Sequence, residues 1–226
     1  KLLNLERKII LIMKKILLIT ILLIPLLKVN GQGIGSLAPE PEPIIFPVNA
    51  FGADIMFSEG GFGLGGFYRK SLSEKFTLFS DISISEAKDE KEVEYVDYYG
   101  RVYVFGKKNR IILIPLNFGL QYRVLNDLIT DNLRPYFNFG IGPSMAVTTP
   151  YEMEFFSSFK KARAHFTVGG YVGFGANFGL DTKSLMGINI RYYAIHFLNG
   201  GIEGLENRYK KDFGGFYLTI NIGTMF

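Results

Sequence analysis

From residue 48 onward, hydrophobic and polar positions alternate with a period of two, the signature of half-buried β-strands. Eight such segments are predicted: 48–57, 62–70, 76–86, 111–124, 135–149, 164–180, 184–198 and 213–226. The last is the clearest. Phe216, Leu218, Ile220, Ile222, Thr224 and Phe226 share one face, and Tyr217, Thr219, Asn221, Gly223 and Met225 the other. The sixth repeats the pattern. Phe166, Val168, Val172, Phe174, Ala176 and Phe178 stand opposite Thr167, Gly169, Tyr171, Gly173, Gly175, Asn177 and Gly179. The second face is Gly, Asn, Thr, Ser and Tyr, which suits a polar interior better than a dry core. The oily face is then the outside, as in a membrane β-barrel. A soluble barrel buries its oily face inside.

The connections agree. Beyond the first hairpin they run long (87–110), medium (125–134), long (150–163), short (181–183) and long (199–212). With eight strands, every long link falls at one end. Outer-membrane barrels place long loops outside and tight turns in the periplasm. The expected architecture is an all-β, eight-stranded antiparallel up-and-down transmembrane barrel. Both termini are expected in the periplasm and the location in the outer membrane of a Gram-negative bacterium.

The segment before the strands reads as targeting and linker. Met13-Lys14-Lys15, the apolar run 16–27 and the Val29-Asn30-Gly31 end form the three parts of a signal peptide over 1–31. Residues 1–12 precede the one plausible initiator and read as an over-extended gene start. The stretch 32–47 carries four prolines at 39, 41, 43 and 47 and reads as a periplasmic lead-in to a barrel over 48–226.

Composition adds exclusions. The 226 residues contain no Cys and no Trp, so thiol catalysis and thiolate metal sites are out. An interfacial aromatic girdle must come from Tyr and Phe, with Tyr68, Tyr122, Tyr192 and Phe226 as candidates. A net charge of +4, mixed in sign, gives no reason to expect nucleic acid as a partner. No cofactor or metal is expected. Gly63–Gly65 lies within a strand and makes no nucleotide fingerprint.

The inner faces carry a lumen charge network of Asp54, Arg69, Asp81, Arg123 and Arg191. An eight-stranded barrel is just wide enough for its own side chains to fill. Charges there must pair or be solvated. The expected result is a plug centred on Asp54, Asp81 and Arg191, with a small-solute channel as the alternative. Lumen glycines at 119, 140, 142, 173, 175 and 223 leave room for Tyr and Arg.

The 87–110 link has strand composition around Tyr99-Gly100, acidic before and basic after. A hairpin turning there sets Glu92 near Lys107 and Asp89 near Arg110. One reading is a protruding edge that recruits a surface protein by strand addition. The plainer reading is a solvated hairpin that holds its own shape. Catalysis is not expected. His165 matches the inward set and His196 the outward one, so the two do not converge. A remote alternative, an outer-leaflet lipid-modifying enzyme, would need one of them with Ser157 or Ser158 and Glu152 or Glu154.

The strand alternation and the closing stretch Asn221-x-Gly223-x-x-Phe226 resemble the small outer-membrane β-barrels of the OmpA/OmpX-like type. The Lys-Lys-Ile-Leu-Leu-Ile signal followed by Gln32 looks like some Bacteroidetes envelope proteins. The resemblance implies a structural or adhesin-like surface protein, in contact with outer-membrane lipid. It also implies that Asn221, Gly223 and Phe226 are read by the barrel-assembly machinery. The C-terminal peptidoglycan-binding domain of the full-length OmpA type is not seen in this sequence.

Overall fold

Eight long strands form where the alternation predicts them. A computed structural model describes residues 46–125, 133–179, 182–198 and 200–226. The signal peptide, most of the proline-rich lead-in and most of the 125–134 link lie outside the described residues, as do positions 180, 181 and 199. The long strands are β1 (Asn49–Ser58), β2 (Gly61–Ser71), β3 (Phe76–Ala87), β6 (Asn109–Arg123), β7 (Arg134–Pro150), β8 (Arg163–Phe178), β9 (Ser184–His196) and β12 (Asp212–Met225). They close into an antiparallel barrel in the order β1-β12-β9-β8-β7-β6-β3-β2. Two small hairpins stand in the long links: β4 (Glu94–Val96) with β5 (Val102–Val104), and β10 (Ile202–Leu205) with β11 (Arg208–Lys210).

Closure rests on the pairing of the first and last strands. Nine residue pairs join β1 to β12, from Ala50↔Met225 to Ser58↔Tyr217. Asn49 and Phe226 exchange backbone hydrogen bonds of 3.1 and 2.9 Å beyond them. A closed sheet has no free edge along its length. The strand ends lie within two residues of those expected, because each is set by a change from alternating to turn-forming sequence.

The outward face is apolar around the barrel. Exposed Phe51, Phe57, Phe62, Leu64, Leu78, Ile82, Phe118, Phe137, Phe139, Phe174, Ile188, Leu218 and Ile222 form a continuous band. Aromatic pairs mark its two margins. Toward the loop end are Phe57–Phe62 and Tyr192–Phe216, at 5.7 and 4.9 Å between ring centroids. Toward the terminal end are Phe76–Tyr122 and Phe51–Phe226, at 5.2 and 5.8 Å.

The interior departs from the uniformly polar lumen expected. It is packed in three layers. At the terminal end Ala50, Phe67, Leu185 and Met225 cluster, with Phe46 against them. In the middle Met56, Phe79, Tyr171, Tyr193 and Tyr217 surround the charges. At the loop end Ala87, Ile111, Leu113, Ala146, Ile195, Phe197, Ile202 and Phe213 make an apolar cap. Apolar side chains close both ends because the loops at one end, and Phe46 at the other, cover them from water.

Candidate functional site

The central layer is built from three strands that meet across the lumen. Arg191 on β9 places Nη2 at 2.8 Å from Asp54 Oδ2 on β1, and Nη1 at 3.8 Å from Asp81 Oδ2 on β3. These three side chains are 2%, 1% and 3% exposed, so the group is desolvated. Two carboxylates share one guanidinium, and neutral donors supply the rest. Tyr171 donates its hydroxyl to Asp81 Oδ2 at 2.6 Å, and Asn117 donates to Asp81 Oδ1 at 2.9 Å. Asn221 donates to Asp54 Oδ1 at 2.5 Å. The Arg191 guanidinium lies 5.0 Å from the Tyr171 ring centroid and donates to the Tyr193 hydroxyl at 3.4 Å. Charge-assisted bonds of this kind hold a side chain in one geometry.

Asp54, Asp81 and Arg191 are thus brought together, and the other two expected members are not. Arg69 lies in the terminal layer. It sits 4.2 Å over the Phe67 ring and donates to Asn177 Oδ1 at 3.1 Å. Arg123, half-buried, is the last residue of β6, at the terminal end of the barrel and away from the central group. Sequence reasoning missed Arg134, a buried cation lying 3.8 Å over the Phe46 ring. The alternation starts the fifth strand at Pro135, a natural first residue of a strand. In fact β7 begins one residue earlier, with Arg134 turned inward.

The loop end carries the second group of residues. β4 and β5 pair through Glu94↔Val104, Tyr95↔Tyr103 and Val96↔Val102. Asp97 organises the turn between them. It accepts from the backbone N–H of Tyr99 and of Arg101, at 2.9 Å each, and from Arg101 Nε at 2.9 Å. Those bonds, the Arg101 backbone first, hold its carboxyl below the usual range. Gly100 has φ of 77°, a left-handed conformation that favours glycine at this point of the turn. One face of the hairpin is aromatic and outward: Tyr95 packs against Tyr103 and Phe105 at 6.0 and 5.0 Å. At the tip Tyr98 is 98% exposed and Tyr99 follows at 80%.

Glu92 and Lys107 form the expected ion pair at 2.7 Å, nearly buried at the hairpin base. The expected Asp89–Arg110 pair does not form. Arg208 of β11 takes Asp89 Oδ1 at 3.1 Å. Arg110, at the start of β6, instead donates to the carbonyls of Pro150 and Met153 at 3.0 Å each. The partner of Asp89 comes from the 199–212 link, about 120 residues away, and local pairing rules do not reach that far.

That link is latched to the hairpin base. Lys108 pairs with Glu203 at 2.7 Å, Lys210 with Glu90 at 2.9 Å, and the Glu206 N–H donates to the Gly106 carbonyl at 2.8 Å. Ile202 beneath them completes the apolar cap. The wall is lowest at the short turn between β1 and β2. A cavity of about 770 Å³ opens there, bounded by Glu59, Asp89, Lys210, Phe213 and Tyr217.

The hydrogen bond from Lys108 holds the Glu203 carboxyl below its ordinary value, and Lys210 does the same for Glu90. A lowered carboxylate contributes stability above its unfolded pKa, and that contribution is lost as pH falls through the folded one. The latch is therefore expected to hold from neutrality down to the usual carboxylate range and to open below it. Amide exchange at Lys108 and Glu206, corrected for the intrinsic rate, should show protection at pH 6 and its loss at pH 3. Equal protection at both would remove the carboxylates from the latch.

The two histidines stand on opposite faces of the wall. His196 points outward and meets Asp212 at 2.6 Å between Nδ1 and Oδ1. His165 lies on the other face, 3.4 Å from the Thr148 hydroxyl. Ser157 bonds Glu154, which caps the short helix α1 (Phe155–Ser158), with neither histidine in the group. Of the closing-strand residues, Asn221 is a lumen ligand of Asp54. Gly223 stands in register with Gly52, and Phe226 is exposed at the band margin.

No family model matches the sequence, and none of the curated proteins matches it. Solved structures are similar in fold. Neisserial surface protein A is 11% identical over 79% of this chain and 95% of that one, with a TM-score of 0.50. The N-terminal β-barrel domain of Pseudomonas aeruginosa OprF is 13% identical over 78% and 95%, with a TM-score of 0.45. Ail, the attachment invasion locus protein of Yersinia pestis, is 10% identical over 77% and 95%, with a TM-score of 0.39.

Proposed function

We propose that the chain is an outer-membrane barrel that anchors a set of surface loops and binds a partner through the β4–β5 hairpin. The loop end lies outside the cell and the barrel termini lie in the periplasm. The apolar outward band supports the membrane placement. From Phe216 to Phe226, ten residues at about 3.3 Å each, tilted by roughly 40°, rise about 25 Å, the height of a lipid-facing band. The aromatic pairs at its two margins fit the two interfaces.

The observation that carries the functional reading is the contrast between lumen and hairpin. The lumen is filled by three layers of buried side chains, so no solute path is part of this reading. The hairpin presents Tyr95, Tyr98, Tyr99, Tyr103 and Phe105 to solvent on a turn fixed by Asp97. Rigid exposed aromatics dominate binding energy at interfaces. Replacing Tyr98, Tyr99 and Phe105 together by serine should leave the barrel folded, judged by its heat-modifiable electrophoretic mobility. Attachment of expressing cells to a host-cell or matrix surface should fall at least about tenfold. Unchanged attachment would sink the hairpin reading. Steady unitary currents from the purified protein in planar bilayers would sink the closed lumen.

A further inference from the structure

The wall of the barrel is uneven at its loop end. Pairing of β1 with β12 stops at Ser58↔Tyr217, because Glu59 and Gly60 alone join β1 to β2. Pairing of β12 with β9 runs five positions further, to Asp212↔His196. On the other side β3 runs on to Ala87, paired with Ile111. The cavity of about 770 Å³ sits in the gap this leaves. That volume falls within the roughly 300–1,000 Å³ of small-molecule sites. Its inner side is apolar and aromatic, from Ala87, Tyr193, Ile195, Phe213 and Tyr217.

The charges that line the cavity are not balanced. Each cation there has an acid: Lys88 meets Glu94 at 2.8 Å and Lys210 meets Glu90 at 2.9 Å. His196 meets Asp212 at 2.6 Å, and Glu92 is taken by Lys107 at 2.7 Å. Two carboxylates have capacity left. Glu59, at the lip, is exposed and has no ion pair among the described residues. Asp89 is 4% exposed, and its bonds fall on one oxygen. Arg208 and the Lys91 N–H both take Oδ1, at 3.1 and 3.0 Å. Oδ2 has no hydrogen-bond partner among the described residues. A buried carboxylate oxygen without a donor is costly, and a ligand in the cavity can supply that donor.

We infer that the cavity is a binding site for a small organic cation, an ammonium group on an aromatic or other apolar body. The ammonium donates to Asp89 Oδ2, and Glu59 adds its charge at the mouth. The body lies against Tyr193, Phe213 and Tyr217. Hydrogen bonds between an ammonium and a carboxylate are the strong ones, and aromatic faces add to the attraction of a cation. An anion meets no lining cation that is free of an acid. A neutral ligand of the same shape leaves the Asp89 carboxylate without its counter-charge. The site requires neither the membrane placement nor a partner on the hairpin.

Calorimetric titration of the full chain, folded in zwitterionic micelles, tests the site, with empty micelles titrated alike and subtracted. Phenethylammonium carries both the charge and the body. Ethylammonium lacks the body, phenethyl alcohol lacks the charge, and phenylacetate reverses it. Phenethylammonium should bind, and each of the others at least about tenfold more weakly. Asp89→Asn keeps Oδ1 for Arg208 and the Lys91 N–H and puts a donor in place of Oδ2. E59Q/D89N should weaken phenethylammonium about tenfold or more, and E59Q alone, at an exposed position, a few-fold. E152Q, which removes an exposed acid from the 150–163 link, should leave binding unchanged. Heat-modifiable mobility reports that each variant is folded. The site is overturned if phenethylammonium does not bind at millimolar concentration, or if phenethyl alcohol or phenylacetate binds as tightly. It is also overturned if E59Q/D89N binds like the parent, or if E152Q is as weak as the double variant. Should D89N fail to fold, E59Q binding like the parent overturns the site in its place.

Discussion

Replacing Arg191 by alanine is expected to destabilise the folded barrel by about 3–5 kcal/mol, the usual result of removing one partner from a buried ion pair. The mechanism lies in what remains. Asp54 and Asp81 would face each other in a lumen from which water is excluded, 1% and 3% exposed, with only Asn221, Asn117 and Tyr171 to stabilise them. Lysine at the same site keeps the charge but not the fork that reaches two strands at once. Arg191→Lys should therefore recover part of the loss. Converting both acids as well, in D54N/D81N/R191M, removes every uncompensated charge and should recover more than the lysine variant does. Urea unfolding in micelles, followed by heat-modifiable mobility, measures all three. A loss under about 1 kcal/mol in Arg191→Ala would show that the central layer does not hold the strands together.

Gly119→Ala should cost about 2–3 kcal/mol, the upper part of the range for overpacking. A Cβ at this position would fall on the Phe139 carbonyl oxygen, the tip of the Phe79 ring and the Gly140 backbone. Two of these are main chain and cannot swing away. Gly140 lies under the same rings, with Phe79 and Tyr171 atoms 3.1 and 3.2 Å from its Cβ position. The aromatic layer thus rests on a glycine bed, which is how a narrow barrel accommodates five large side chains at one level. Gly66→Ala is the control, since its Cβ would meet nothing nearer than 3.7 Å. The same unfolding assay should place Gly66→Ala near the parent and Gly119→Ala well below it. Equal midpoints for the two would remove the close-packing account.

The barrel was legible because its code is local. Each strand alternates in its own sequence, and turn residues mark its ends. Asp54, Asp81 and Arg191 were legible as a cluster because parity put all three inside at mid-strand. The Glu92–Lys107 pair followed from one turn at Tyr99-Gly100. What failed was long-range. The match of Asp89 to Arg208 joins two loops that no period connects. The apolar cap had a local trace that alternation alone does not interpret. Ile111-Ile112-Leu113-Ile114 is apolar on both faces, and such a run marks burial on both sides. The structure puts Ile111 and Leu113 under the loops.

The filled lumen has a consequence for signalling. Energetic coupling between distant sites needs an element with two discrete arrangements that both sites bias. Among the described residues, the central and terminal layers are each held in one arrangement by side chains from several strands of a closed wall and show the hairpin no such element. On the proposed function, a partner captured at Tyr98 and Tyr99 is then a load on a fixed post. On that reading the barrel wall holds the hairpin still, and a response to the partner falls to another molecule at the same surface.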